Sequence, residues 1–306
     1  MTKKELYDII YGFALGDALG VPFEFSEKKK KEMRKLKLYG GGVHLQEKGV
    51  YSDDTALTLA SMDNLASNDY SPKKLFKSFK IWYEEGAYSA TGYAFDVGIS
   101  TKRVLKEPYI EKHIGFDDNE GNGSLMRIIP FALWNMNEDF KVRKNAIYEA
   151  SSITHASYEA CYSCLIYSEL LIKLLKENKP KEEIFKELHD ELKKEIPEKY
   201  SFLFSLEIAK IKEEMIKPSG HVSYTLQTVF WVFLNYDSYE DALKEVIKLG
   251  GDTDTIGALT GALMALKYPE TFPSKLVKKL KNKDFIDAIC EKYFNAFTSK
   301  EQSPKA

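Results

Sequence analysis

Apolar residues recur at three- and four-residue intervals along most of this chain, while strict two-residue alternation is scarce. The first pattern marks helices with a buried face; the second would mark half-buried strands. Helical spacing opens over residues 3–20, with Leu6, Ile9, Ile10, Phe13, Ala14 and Leu15. It returns over Thr55–Leu65, Lys73–Trp82, Lys141–Ile153, Ala156–Leu175 and Lys181–Ile196. Further segments are Tyr200–Ile216, Ser223–Leu234, Tyr239–Leu249, Thr253–Leu266, Ser274–Leu280 and Asp284–Phe297. Gly-rich or Pro-containing connections separate them, such as Tyr39-Gly40-Gly41-Gly42 and Lys217-Pro218-Ser219-Gly220. The pattern predicts an all-α protein, a compact orthogonal bundle of about a dozen helices.

Two of these helices carry glycine rows. Gly12, Gly16 and Gly20 recur every fourth residue, and so do Gly257 and Gly261. Glycine inside a helix costs about 1 kcal/mol relative to alanine. Such rows on one face predict that the two helices approach each other closely near the centre of the fold.

With 306 residues the length allows two domains, but no Pro/Ser-rich tether divides the chain. One domain over residues 1–297 is expected, with residues 298–306 as a disordered tail. Forty-four basic residues against 46 acidic ones leave a net charge of −2, which argues against a general nucleic-acid binder. Cys161, Cys164 and Cys290 are too few for a disulfide framework and read as buried core thiols. No stretch is apolar enough to span a membrane, so the expected location is the reducing cytoplasm.

The informative residues are carboxylates. Ser52-Asp53-Asp54-Thr55 and Gly251-Asp252-Thr253-Asp254-Thr255 each precede an apolar helix. Ordinary N-caps would explain one acidic or hydroxyl residue at each start. Here each start spends two aspartates with hydroxyl neighbours. Buried together, four carboxylates would repel unless cations neutralised them. Oxygen-only ligands point to hard cations: two Mg²⁺ or Mn²⁺ ions in a binuclear site, or one Ca²⁺. Simple capping remains the alternative.

Gly121-Asn122-Gly123-Ser124-Leu125-Met126-Arg127 is a glycine-rich turn whose bare N–H groups suit an anionic group, with Arg127 as a pairing cation. It lacks the spacing of a P-loop, and a plain loop is the competing reading. Lys28, Lys29, Lys30, Lys31, Arg34, Lys35 and Lys37 form the one strong basic run, either a solvated face or a steering patch for an anionic substrate.

Together these segments resemble the ADP-ribosylglycohydrolase family, in the manner of dinitrogenase reductase-activating glycohydrolases. The carriers, in order, are Gly12-Phe13-Ala14-Leu15-Gly16-Asp17-Ala18-Leu19-Gly20 with Glu24, then Ser52–Thr55, Phe95-Asp96-Val97-Gly98, Gly121–Arg127, Thr154-His155-Ala156 and Gly251–Ala258. The resemblance implies a hydrolase that cleaves the glycosidic bond between ADP-ribose and a modified protein side chain, nucleic acid or small molecule. It implies two divalent ions, Mg²⁺ or Mn²⁺, held by Ser52, Asp53, Asp54, Asp252, Asp254 and Thr255, with Asp254 bridging. Glu24 and Asp96 are the implied catalytic carboxylates. Gly98, Asn122, Gly123, Ser124, Met126, Arg127 and His155 are the implied substrate-binding residues. A monomer acting on an ADP-ribosylated partner, away from membranes, completes the expectation. Ser52 stands where Thr is common, and Ile99, Ser100, Ser124 and Leu125 also depart from the family pattern, at positions that bear on substrate choice. Tyr93, Tyr158 and Tyr224 are candidate shelves for the adenine, and His221 is a candidate pocket wall.

Overall fold

A computed structural model describes residues 1–26, 35–67 and 69–302. It is helical throughout. Among the described residues there is no β-strand, only isolated bridges joining Gly41 to Gln46 and Gly121 to His221. The long basic run falls mostly outside the described residues; Lys35 and Lys37 lie inside them and are exposed.

The centre is a crossing of two helices, α1 (Lys3–Gly20) and α11 (Thr253–Lys267). Their glycine rows face each other: Gly12 meets Gly261, Gly16 meets Gly257, and Gly20 meets Thr253. A Cβ built on Gly257 would sit 2.7 Å from the Gly16 carbonyl oxygen, closer than real Cβ atoms come. The backbones therefore touch only because no side chain stands between them. Hydrogen bonds lock the crossing. Tyr239 Oη donates to Gly12 O at 2.8 Å, and Thr253 Oγ1 donates to Gly20 O at 2.8 Å.

Around this pair pack α2 (Asp53–Leu65), α7 (Tyr158–Lys176), α9 (Val222–Asn235) and α10 (Tyr239–Leu249). Outside them lie α3 (Pro72–Glu85), α6 (Phe140–Ser152), α8 (Lys181–Leu192) and α13 (Lys283–Gln302). Three helices are short: α4 (Ile99–Lys106), α5 (Ile129–Trp134) and α12 (Ser274–Val277). The three cysteines are free and buried. No helix among the described residues is long and apolar enough to cross a membrane.

Some expectations need correction. The segment Tyr200–Ile216 is not one helix but three 3₁₀ turns, Glu198–Phe204, Ile208–Lys210 and Glu213–Met215. Ser205 Oγ accepts from Glu207 N at 3.2 Å, a local bond that competes with helix continuation. Carbonyls that a helix would use are taken from outside: Trp231 Nε1 donates to Ile211 O at 2.8 Å and Asn235 Nδ2 to Ala209 O at 3.1 Å. α8 stops at Leu192 rather than Ile196, just short of Pro197. α4 and α5 had no clear periodic signal. At the other end, α13 continues to Gln302, so residues 298–302 of the expected tail are helical; Lys300 there donates to Trp134 O at 2.8 Å and to Glu138 at 2.9 Å. Residues 303–306 lie outside the described residues.

Candidate active site

Three helix ends converge on one spot. α1 delivers its C-terminal end, while α2 and α11 deliver their N-termini. Helix N-termini carry partial positive charge and free N–H groups, so they tolerate carboxylates. The Ser52 hydroxyl caps α2, accepting from Asp54 N at 3.3 Å. Asp252 occupies the N-cap position of α11.

Asp17, on α1, is the pin between the first two elements. Its carboxylate accepts from Ser52 N at 2.8 Å, from Thr55 N at 3.1 Å and from Thr55 Oγ1 at 2.6 Å. It is fully buried, and burial pushes its carboxyl up to about 6, with the bonds from Thr55 and Ser52 opposing. Asp17 thereby fixes the N-terminus of α2 against α1, a role that no local sequence pattern announces.

After α1, the turn Val21–Phe23 carries the chain to Glu24, and Phe25 N donates to Gly251 O at 2.8 Å. Gly251 has φ +69°, and a Cβ there would collide with Pro218. This tie sets Glu24 beside the start of α11. Potential ligand atoms of Glu24, Asp252 and Asp254 lie within 4.8 Å of one another, and those of Asp17, Asp54 and Asp254 do likewise. Asp254 is the member shared by both groups. Thr255 Oγ1 donates to Asp54 Oδ1 at 3.2 Å, joining the two aspartate segments directly.

Asp17, Glu24, Asp53, Asp54, Asp252 and Asp254 are all at most 5% exposed. Burial pushes Asp53, Asp54 and Asp254 well above the usual carboxylate range, and their neighbours' charges push the same way. Asp252 is raised by burial too, against hydrogen bonds that include one from Asn122 Nδ2 at 2.7 Å. Among the described residues no lysine or arginine pairs with this group. Asp54 Oδ2 and Asp254 Oδ1 are buried with no hydrogen-bond partner. A buried polar group left unpaired costs about 1–3 kcal/mol, and more when charged. Orphaned carboxylate oxygens at the meeting point of two acidic groups are the donor set that hard divalent cations take. The residues therefore fit divalent metal.

Among the described residues, the basic side chain that meets this group is His44. Its Nε2 lies 2.6 Å from Glu24 Oε2 and 3.3 Å from Asp96 Oδ1. Hydrogen bonds to Asp96 and Glu24 raise its ring to about 10, so it is an imidazolium near neutral pH. Burial would raise Asp96, but His44 outweighs it and holds this carboxyl below its usual range. Glu24 is pushed up to about 8 by burial and by Asp96 and Asp252, against the pull of His44. Asp96 has φ 56° and Phe25 φ 41°, left-handed values that non-glycine residues seldom adopt outside constrained sites.

These carboxylates open into a cleft of about 360 Å³. Glu24, Asp53, Asp96, Asp252, Asp254 and Thr255 form its acidic floor, and Gly98, Gly121, Asn122, Gly123, Met126 and His155 also line it. Ile99 and Phe25 stand at the rim, 89% and 56% exposed. The family description of the ADP-ribosylglycohydrolases matches residues 2–303.

The chain belongs to the ADP-ribosylglycohydrolase family. It is a hydrolase of ADP-ribose glycosidic linkages, acting on ADP-ribosylated substrates. Across 93% of its length it is 25% identical to an ADP-ribosylarginine hydrolase, Tri1, of Serratia proteamaculans, 77% of which is covered. It is 26% identical to the ADP-ribosyl-(dinitrogen reductase) glycohydrolase of Rhodospirillum rubrum, over 92% of each chain. A solved structure described as an ADP-ribosylglycohydrolase-related protein complex matches the fold with a TM-score of 0.75 at 24% identity, over 96% of this chain and 98% of that one.

Within this glycohydrolase, several residues expected at the substrate stand elsewhere. Arg127 is wholly buried behind the wall, donating to Ala150 O at 3.1 Å and Thr154 Oγ1 at 2.8 Å with its guanidinium over Phe79. It cannot meet a phosphate in the cleft. Ser124 is also buried, its hydroxyl accepting from Ser151 Oγ at 2.8 Å. The Asn122 amide is committed to Asp252 and to Thr225 Oγ1 at 3.0 Å, so it braces a carboxylate. Ser52, expected among the metal ligands, is buried and caps α2 with its hydroxyl oxygen. Tyr93, Tyr158 and Tyr224 are not in the cleft wall. Tyr158 stacks near Tyr162 and Tyr200, and Tyr93 Oη donates to Gln46 Oε1 at 3.2 Å. His221 faces Glu120 at 3.1 Å, although its neighbour Gly220 does line the cleft.

Proposed function

We propose that this enzyme removes ADP-ribose from arginine side chains of modified proteins, using two divalent cations, Mg²⁺ or Mn²⁺. The observation that carries the reading is the buried carboxylate group, with orphaned Asp54 and Asp254 oxygens and several of its members lining a cleft. Ser52, Asp53, Asp54 and Asp254 are assigned to one ion, and Asp252, Asp254 and Thr255 to the other. Bound there, divalent ions would supply Lewis acidity to activate water and charge to attract the ribose diol oxygens.

The remaining roles belong to the side chains. Glu24 has the higher proton affinity of the two carboxylates that meet His44, which suits it to take and return a proton at the anomeric centre. Asp96 is held ionised by His44 and suits a different task, orienting a cationic guanidinium leaving group. Arginine is favoured as acceptor by that anionic setting, and the relatives named as ADP-ribosylarginine hydrolases support it. Phe25, the phenyl ring at the cleft rim, is assigned as the apolar shelf for the base. The wall N–H groups near Gly121 and Gly123 are assigned to the diphosphate side. We take the chain to act as a monomer in the cytoplasm, a compartment in which three free, buried cysteines would stay reduced.

A panel of conjugates tests this: ADP-ribosylated arginine, serine and nucleic-acid base, O-acetyl-ADP-ribose and poly-ADP-ribose, each with and without EDTA. Free ADP-ribose released from the arginine conjugate, and lost with EDTA, is expected by mass spectrometry. Preference for another acceptor would overturn the arginine assignment. Cleavage indifferent to EDTA would overturn the metal assignment.

A further inference from the structure

Arg127 is the largest charged side chain fully buried in the fold, and it sits one layer behind the cleft. Among the described residues no carboxylate pairs with it. Its Nη2 donates to Thr154 Oγ1 at 2.8 Å, and the same oxygen lies 2.7 Å from His155 Nδ1. The direction of these bonds is fixed by chemistry. A guanidinium can only donate, so the Thr154 oxygen accepts from it. The hydroxyl has one proton, and among the described residues its remaining partner is His155 Nδ1. Accepting from His155 as well would leave that proton buried without an acceptor, which buried hydroxyls avoid. Thr154 therefore donates to Nδ1, and the ring proton sits on Nε2.

Nε2 lies against two glycines that line the cleft. A Cβ built on Gly121 or on Gly123 would each lie 3.2 Å from it, so these two glycines leave the nitrogen open between them. His155 lines the same cleft as the carboxylates. We propose that Arg127 is a positioning residue that acts through Thr154 to hold His155 as the Nε2–H tautomer, a donor fixed toward an oxygen of bound ADP-ribose between Gly121 and Gly123. The substrate half of this statement rests on the functional reading above; the tautomer half does not. Burial, then the charge of Arg127, lowers the ring to about 3, so the donor is neutral and does not switch with pH. This accounts for a buried arginine that pairs with no acid: its charge and donor geometry set which nitrogen of the histidine carries the proton.

Loss of Arg127 itself endangers the fold, so Thr154→Val and Thr154→Ser carry the test. In protein labelled with ¹⁵N-histidine, two-bond ¹H–¹⁵N spectra report the tautomer of each ring. The wild type and Thr154→Ser are expected to show His155 protonated on Nε2 and unchanged from pH 8 to pH 5. Thr154→Val is expected to lose that signature and to lower kcat/KM about tenfold, mainly through KM, while Thr154→Ser stays within about twofold. A His155 protonated on Nδ1 in the wild type, or a Thr154→Val enzyme with unchanged KM, would overturn the proposal. A wild type inactive on every ADP-ribosyl conjugate would instead refute the reading of the cleft, a failure the spectra cannot mimic.

Discussion

Asp254→Asn is expected to abolish metal-dependent turnover, by about a thousandfold or more, while leaving the fold intact. Asp254 is the carboxylate common to the two acidic groups, and one of its oxygens has no protein partner. Losing even a residue that supports a ligand costs roughly 10–100-fold in metal affinity or activity, and a shared ligand should cost more. The substitution keeps the shape and removes a buried charge that repels Glu24, Asp96, Asp252 and Asp54. The metal-free variant should therefore melt at or above the wild-type temperature. Activity and melting, measured on the same preparation, separate a lost ligand from a lost fold. An Asp254→Asn enzyme with full EDTA-sensitive activity would remove Asp254 from the centre of the scheme.

Stability of the metal-free enzyme should fall as pH rises. Glu24 is the clearest contributor, its carboxyl moving from an ordinary 4.5 to about 8 on folding. A carboxyl raised in the folded state binds its proton more tightly there than in the unfolded chain. Its stabilising effect is complete below 4.5 and is lost as pH climbs through about 8. Asp17, raised to about 6, acts in the same direction at lower pH. Asp53, Asp54, Asp252 and Asp254 shift the same way. Between pH 5 and pH 8.5 the loss should be on the order of a few kcal/mol, or roughly 5–10 °C in Tm. Mg²⁺ or Mn²⁺ should erase the slope, because a cation favours the ionised carboxylates. At a hundred times its Kd a single ion adds about 2.7 kcal/mol. Differential scanning calorimetry with EDTA and with either ion checks this; a metal-free protein more stable at pH 8.5 than at pH 5 would contradict it.

The central crossing was legible in the sequence because glycine at four-residue spacing has few other uses inside a helix, and the structure places those rows face to face. The acidic floor was legible for a similar reason: paired aspartates at helix starts exceed what capping requires. Distance along the chain hid the rest. His44 sits in a loop with no periodic pattern, and only folding brings it to Glu24 and Asp96. Asp17 looked like one residue in a small-residue helix, since nothing local shows that it accepts three bonds from the start of α2. Arg127 misled because a glycine-rich turn followed by arginine reads as an anion site, whereas the 3₁₀ turn Leu125–Arg127 aims its side chain inward. Sequence spacing shows which residues share a helix face; it does not show which side of a loop faces the cleft.

The most direct test of the account is an anomalous difference map from a crystal grown with Mn²⁺. Two peaks are predicted at the carboxylate floor, one against Asp53, Asp54 and Asp254, the other against Asp252, Asp254 and Thr255. Manganese bound only at surface carboxylates, with nothing beside Asp254, would contradict it.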